Sequence, residues 1–118
     1  MPDTHTGKIG EDYVTDLLIR KGYRLVARNF HSRSGEIDII VRDDRFIIFV
    51  EVKTRKVNSM VRGEESVTRA KQLRIIKTAQ YFLLKHRTSL QPRFDVAALE
   101  TMADKVVSLN YISNAFTL

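Results

Sequence analysis

The stretch FIIFVEVK at residues 46–53 constrains the fold of this chain more than any other. Five apolar residues in succession predict a strand that is buried on both faces, inside a sheet covered by helices on each side. Glu51 and Lys53 then follow within what should still be the same buried strand. Burying an isolated charge carries a large free-energy cost. The two residues therefore predict an ion pair, a metal or a charged substrate at this end of the strand.

The rest of the chain predicts one α/β domain over residues 1–118, with the element order α-β-β-β-α-β-β. Helical spacing of apolar residues covers 7–21, and a second helix is expected from 67 to about 86, with Ser66 as its N-cap. Strands are expected at 23–30, 35–42, 45–53, 92–100 and 105–113, and an irregular loop at 54–66. Since the middle hairpin is apolar on both faces, we expect a mixed central sheet flanked by helices.

Composition excludes several classes of protein. The 118 residues include no cysteine, so neither disulfides nor a thiolate zinc site can form. There is no signal-peptide pattern and no apolar run long enough to span a bilayer, and these absences predict a soluble, cytoplasmic protein without a membrane partner.

The net charge of +6 favours a polyanionic partner. The excess positive charge lies between residues 53 and 77, a stretch with eight basic residues and two acidic ones. The simpler interpretation of such a run is a solvated surface. The functional one is contact with nucleic-acid phosphates, and its candidate residues are Arg55, Lys56, Arg62, Lys71 and Arg74.

The charged end of the buried strand lies next to acidic residues in the preceding strand. Alternation places Glu51 and Lys53 on one face. If the hairpin turns at Asp43 and Asp44, with Arg42 opposite Arg45, then Asp38 faces Phe49 and lies diagonally from Glu51, ~7 Å away at most. A slip of one residue would move Asp38 to the other face, so this prediction depends on the register.

Carboxylates collected at one end of a sheet suit Mg²⁺ or Mn²⁺, which prefer hard oxygen ligands. Asp38 and Glu51 are the predicted ligands, and Glu11 of the first helix could reach them. Lys53 could hold a water or stabilise charge on a phosphate under attack. The alternatives are a structural Glu51–Lys53 ion pair and, for Glu11, a carboxylate favoured by the helix dipole.

Several segments resemble the YraN-like family of small bacterial proteins over essentially the whole chain: GKIGEDYV, NFHSRSGEIDIIV, FVEVKTR, TRAKQLR and RFDVAALE. That family resembles the PD-(D/E)XK nuclease superfamily, and archaeal Holliday junction resolvases within it. The resemblance implies a restriction-endonuclease-like α-β-β-β-α-β core, Mg²⁺ dependence and a DNA substrate.

The resemblance also implies roles for individual residues. Asp38 and Glu51 match the two acids of the motif and Lys53 its lysine, while Glu11 matches the helix-one glutamate of the resolvases. Lys71 falls where the family keeps a lysine on the next helix, and the carbonyl of Val52 would be a further metal ligand. Ile37 stands where the written motif has proline.

The leading hypothesis is a metal-dependent endonuclease that hydrolyses DNA, with branched or damaged DNA as candidate substrates. Cleavage of two strands by so small a chain suggests a homodimer. The alternative is a DNA-binding or scaffold protein that keeps the nuclease fold without catalysis, because one fold can host many functions.

Overall fold

A computed structural model describes residues 4–58 and 67–117 of the chain. The elements are α1 (Thr4–Arg20), β1 (Arg24–Ser32), β2 (Gly35–Arg42), β3 (Phe46–Lys56), α2 (Arg69–Lys85), β4 (Gln91–Met102) and β5 (Lys105–Phe116). The predicted order and the mixed α/β class are confirmed. Neither helix in the described ranges has the length and apolarity that a membrane-crossing helix requires.

The five strands form one mixed sheet in the order β1-β2-β3-β4-β5. The first three strands are antiparallel neighbours, β3 and β4 run parallel, and β5 returns antiparallel to β4. The parallel pair requires a crossover connection, and α2 lies within it. This topology is compatible with the α-β-β-β-α-β core implied by the resemblance.

Each face of the sheet carries its own hydrophobic core. On one face, Ile48 and Val50 of β3 pack with Val14 and Leu18 of α1. On the other, Phe49 of β3 packs with residues of α2 that include Phe82. The uninterrupted apolar run of β3 therefore serves two cores at once, as expected for a strand between two helices.

A close approach of α1 to β3 depends on a glycine. A Cβ atom at Gly10 would lie far inside contact distance of the Thr54 side chain. Only a residue without a side chain lets the helix backbone come so near to the strand. This contact places the next residue, Glu11, close to the end of β3.

Two predictions about the segment between residue 53 and α2 need correction. Residues 54–56 are strand, because the backbone of β3 continues to pair with β4 as far as Lys56 and Thr101. The N-cap of α2 is Thr68, whose hydroxyl accepts a hydrogen bond from the Lys71 amide. The predicted cap Ser66 lies outside the described residues, as does the rest of the predicted loop over 59–66.

Candidate functional site

The β2–β3 hairpin sets the register of the predicted site. The Asp43 amide donates to the Phe46 carbonyl at 3.1 Å, and the Asp43 carboxylate accepts from the amides of Arg45 and Phe46 at 2.8 and 2.7 Å. The two loop residues are therefore Asp44 and Arg45, one position later than predicted. The Asp43 side chain closes the turn through these hydrogen bonds, as aspartate side chains often do in turns.

The hairpin register consequently differs from the prediction by two residues. Ile39 pairs with Val50 and Ile40 with Phe49, so Asp38 lies one step beyond the last pair, level with Glu51 rather than with Phe49. A shift of two residues keeps the face of every side chain. The predicted proximity of Asp38 and Glu51 therefore holds, and the two acids are closer than a diagonal pair.

The regular strand geometry of β2 ends at Asp38. Ile39 packs in the α1-side core, whereas Ile37 packs in the α2-side core, although residues two apart normally share a face. The amide of Val52 donates to Asp38 Oδ2 at 2.8 Å. A side-chain carboxylate thus takes the position that a main-chain carbonyl of β2 would occupy in a continued ladder.

The two acids create an unfavourable electrostatic pair. The pKa of Asp38 is raised to about 8, first by burial and then by the hydrogen bond with Glu51 and the charge of Glu51. The Val52 amide and the Lys53 charge oppose this rise without cancelling it. Glu51 has only 12% of its side chain exposed. Asp38, in contact with Glu51, therefore keeps its proton near neutral pH.

Two lysines stand beside the carboxylates. Lys53 Nζ lies 3.9 Å from Glu51 Oε1. Lys71, in the first turn of α2, has a lowered pKa, chiefly because of a side-chain hydrogen bond with Lys53, then because of burial and the Lys53 charge. Glu51 and Asp38 act on Lys71 in the opposite direction. The structure therefore places Lys71 with Lys53, Glu51 and Asp38.

Glu11 reaches the same cluster from α1. Its pKa is raised by burial and next by the charge of Asp38, while Arg28 and Asn29 lower it. Arg28 Nη2 lies 3.4 Å from Glu11 Oε1, and the Glu11 side chain is 20% exposed. The α1 residue predicted to approach the sheet end is thus within electrostatic range of Asp38.

The structure describes four of the five predicted phosphate-binding residues, two on β3 and two, including Lys71, on α2. Arg55 binds Glu100 of β4 at 2.8 Å and lines a cavity of about 520 Å³ between the sheet and α2. Lys56 ends β3 and is exposed, and Arg74 is exposed on α2, beside Gly35. Arg62 lies outside the described residues.

The donor set at the sheet end fits a hard divalent cation. Within residues 4–58 and 67–117, no three His, Cys, Asp or Glu side chains are arranged to hold a metal. The acidic donors in mutual contact are Asp38 and Glu51. One or two carboxylates are the usual protein ligands of Mg²⁺, which keeps several of its waters.

Sequence reasoning missed two residues at this site, Arg28 and Asn29 of β1. The only signal was that both interrupt a weakly apolar strand with polar side chains. Consecutive strand residues normally point to opposite faces. Nothing in their spacing therefore predicted that both would reach Glu11.

Comparison with known proteins gives consistent matches. Residues 10–99 match the model described as "Uncharacterised protein family UPF0102". A UPF0102 protein of Caldicellulosiruptor bescii is 44% identical over 115 residues, which covers 93% of this chain and 95% of that protein. A UPF0102 protein of Acinetobacter baylyi is 42% identical over 127 residues, with 97% and 91% covered.

Proposed function

We propose that this chain, which belongs to the UPF0102 or YraN-like family, is a metal-dependent endonuclease acting on DNA. The description of the family names no activity, so the proposal rests on the residues of the chain itself. The observation that carries the proposal is the contact between the partly buried acids Asp38 and Glu51, with Lys53 and Lys71 beside them. Two buried acids in contact are costly to the apo protein unless they serve a ligand.

The ligand proposed here is Mg²⁺ or Mn²⁺. Asp38 and Glu51 would hold it, together with the carbonyl of Val52. Bound there, the cation would supply Lewis-acid activation of a phosphodiester and of water. The raised pKa of Asp38 beside Glu51 supports this choice, because a bound cation would compensate the charge of both acids.

The basic residues of the site would act on the phosphate itself. Lys53 stays close to Glu51 and would stabilise the negative charge that develops on the scissile phosphate. Lys71, held against Lys53, would orient a neighbouring phosphate oxygen. Two ammonium groups this close repel each other, and an entering phosphate would relieve that repulsion.

Glu11 is the residue best suited to accept a proton. Its carboxylate is partly buried and has a raised pKa, which brings it closer to the range in which a general base works near neutral pH. We assign to the Glu11 carboxylate the proton released by the attacking water. Asp38 and Glu51 are less suited to this task, because they would be occupied as ligands.

The experiment compares cleavage of four-way junction, flap, nicked and linear DNA in Mg²⁺, in Mn²⁺ and in chelator. We expect metal-dependent cleavage that falls by about a hundredfold or more in Glu51→Ala and Lys53→Ala. Asp44→Ala is the matched control, since Asp44 is an exposed acid in the hairpin turn.

Equal cleavage by wild type and the two site variants would identify a contaminating nuclease and refute the proposal. Tight DNA binding without cleavage in either metal would instead favour the non-catalytic scaffold.

We also propose that the active form is a homodimer, because two strands of a junction require two sites. Light scattering of the protein alone and with junction DNA measures the mass. A monomer in both states would contradict this part of the proposal.

A further inference from the structure

Asn29 has an unusual backbone for a residue inside a strand. Its φ angle is 53°, in the left-handed region, which few residues other than glycine adopt but asparagine tolerates. The flanking pairs, Arg28 with Ile39 and Phe30 with Ile37, place Asn29 opposite Asp38. The distortion of β1 therefore coincides with the point where β2 loses its regular alternation.

The side-chain amide of Asn29 lies between two carboxylates. Since both neighbours are acceptors, the amide nitrogen faces them and donates to Glu11 Oε1 and to Glu36 Oε1, each at 3.1 Å. Arg28 also reaches Glu11, from the preceding position of the same strand. The positive φ of Asn29 explains how two consecutive side chains reach one carboxylate.

We propose that Asn29 is a positioning residue whose amide holds the Glu11 carboxylate beside Asp38. The inference rests on the proposed nuclease function, in which Glu11 accepts a proton. The Asn29 amide bridges Glu36 of β2 and Glu11 of α1, and so links the helix to the sheet next to the site.

The chemistry of the position favours a neutral donor. A second cation beside Arg28 would neutralise Glu11 further and compete with a divalent ion for the acids. An aspartate would repel both Glu11 and Glu36. An amide orients Glu11 and leaves its charge in place, and asparagine also accepts the left-handed backbone.

The test separates the amide from the backbone. Asn29→Gly removes the amide but keeps the freedom to adopt positive φ. The matched control is Asn114→Gly in β5. Asn114 also has a φ of 53°, and the hydrogen bond from its backbone N–H to Asp95 remains possible in glycine. Glu11→Gln and the Glu11→Gln/Asn29→Gly double variant complete a double-mutant cycle.

The first readout is independent of activity and of metal. In chelator, the side-chain NH₂ resonances of Asn29 in a two-dimensional ¹H–¹⁵N spectrum should move in Glu11→Gln, while those of Asn114 stay in place. Unmoved Asn29 resonances would overturn the inference, whether or not the protein cuts DNA.

The second readout is the kcat of DNA cleavage. We expect Asn29→Gly to lower kcat by about 10- to 100-fold, the range typical of residues that orient a ligand. The double variant should fall no further than Glu11→Gln alone, and Asn114→Gly should match wild type. Wild-type kcat in Asn29→Gly, or full additivity in the double variant, would overturn the role of Asn29 and leave the proposed function standing.

Discussion

Two aspartates of the same sheet, the fully buried Asp95 and the partly buried Asp38, have opposite surroundings. Asp95 is fully buried and accepts from Arg93 at 3.0 and 2.9 Å, from the Tyr111 hydroxyl at 2.6 Å and from the Asn114 amide at 2.9 Å. Asp38 accepts from the Val52 amide, and its other close neighbour is a second acid, Glu51.

The difference is between a charge that the fold compensates and one that it does not. Every lone-pair direction of Asp95 meets a donor, so its charge is compensated within the fold. The carboxylate also raises the pKa of Arg93, chiefly through their side-chain hydrogen bonds. Asp38 lacks such compensation, and burial beside Glu51 raises its pKa instead. A buried acid that the fold leaves uncompensated points to a ligand from outside.

The largest effect should follow from breaking the compensated network. Asp95→Ala leaves the mostly buried Arg93 guanidinium and the Tyr111 hydroxyl without their acceptor. We expect a loss of about 3–5 kcal/mol in the free energy of unfolding, measured by urea denaturation. Asp16→Ala, which removes an exposed helix ion pair, should change it by less than about 0.5 kcal/mol. Similar losses in both variants would show that Asp95 is not a structural centre.

The second effect has the opposite sign. Asp38→Asn should stabilise the metal-free protein at pH 8–9 by roughly 2–4 kcal/mol, because the neutral amide replaces a carboxylate that is charged at that pH beside Glu51. The variant is compared with wild type by urea denaturation in chelator across pH 4–9, with Asp44→Asn as the exposed control.

The pH dependence follows from the raised pKa of Asp38. The folded protein binds this proton up to about pH 8, whereas the unfolded chain releases it near 3.8. Its contribution to stability is therefore full below about pH 4 and is lost as the pH rises to about 8. Asp38→Asn should flatten the wild-type decline over that interval. A steep decline that persists in the variant would assign the pH dependence to other groups.

The comparison also explains how much the sequence could predict. The order of elements follows from apolar patterning, which local physics determines. The register of the β2–β3 hairpin does not, because it depends on whether Asp43 closes the turn with its backbone or its side chain. The predicted proximity of Asp38 and Glu51 survives the error in register, because the two side chains are in contact in the structure.

Another error concerns the N-cap of α2. Serine and threonine are both preferred N-cap residues, so local chemistry did not distinguish Ser66 from Thr68. Arg93 and Asp95 form a salt bridge within β4, as their spacing allows, since residues two apart in a strand lie on one face. The other donors to Asp95, Tyr111 and Asn114, come from the next strand, and local spacing does not predict which residues of that strand will contact Asp95.

The third effect concerns DNA affinity in chelator, measured by fluorescence anisotropy. At pH 9, above the pKa of Asp38, and without a cation, Asp38 and Glu51 place uncompensated negative charge against the phosphate backbone. Asp38→Asn and Glu51→Gln should each bind DNA several-fold more tightly than wild type, and added Mg²⁺ should help wild type more than either variant. Lys53→Met should weaken binding. If the variants lose stability and keep wild-type DNA affinity, Glu51 and Lys53 are a structural pair.

The smallest effect concerns the salt dependence of DNA binding, with about −0.9 in the log–log slope expected for each phosphate contact. Arg74 is exposed, so Arg74→Ala should reduce the slope by about one unit if it touches a phosphate. Arg55 is bound to Glu100, so Arg55→Ala should reduce it less, and Glu100→Gln should steepen it. Equal effects of Arg55→Ala and Arg74→Ala, with none for Glu100→Gln, would mean that DNA opens the ion pair. If alanine at Arg55, Lys56, Arg62 and Arg74 leaves the slope unchanged, the basic stretch is an ordinary solvated surface.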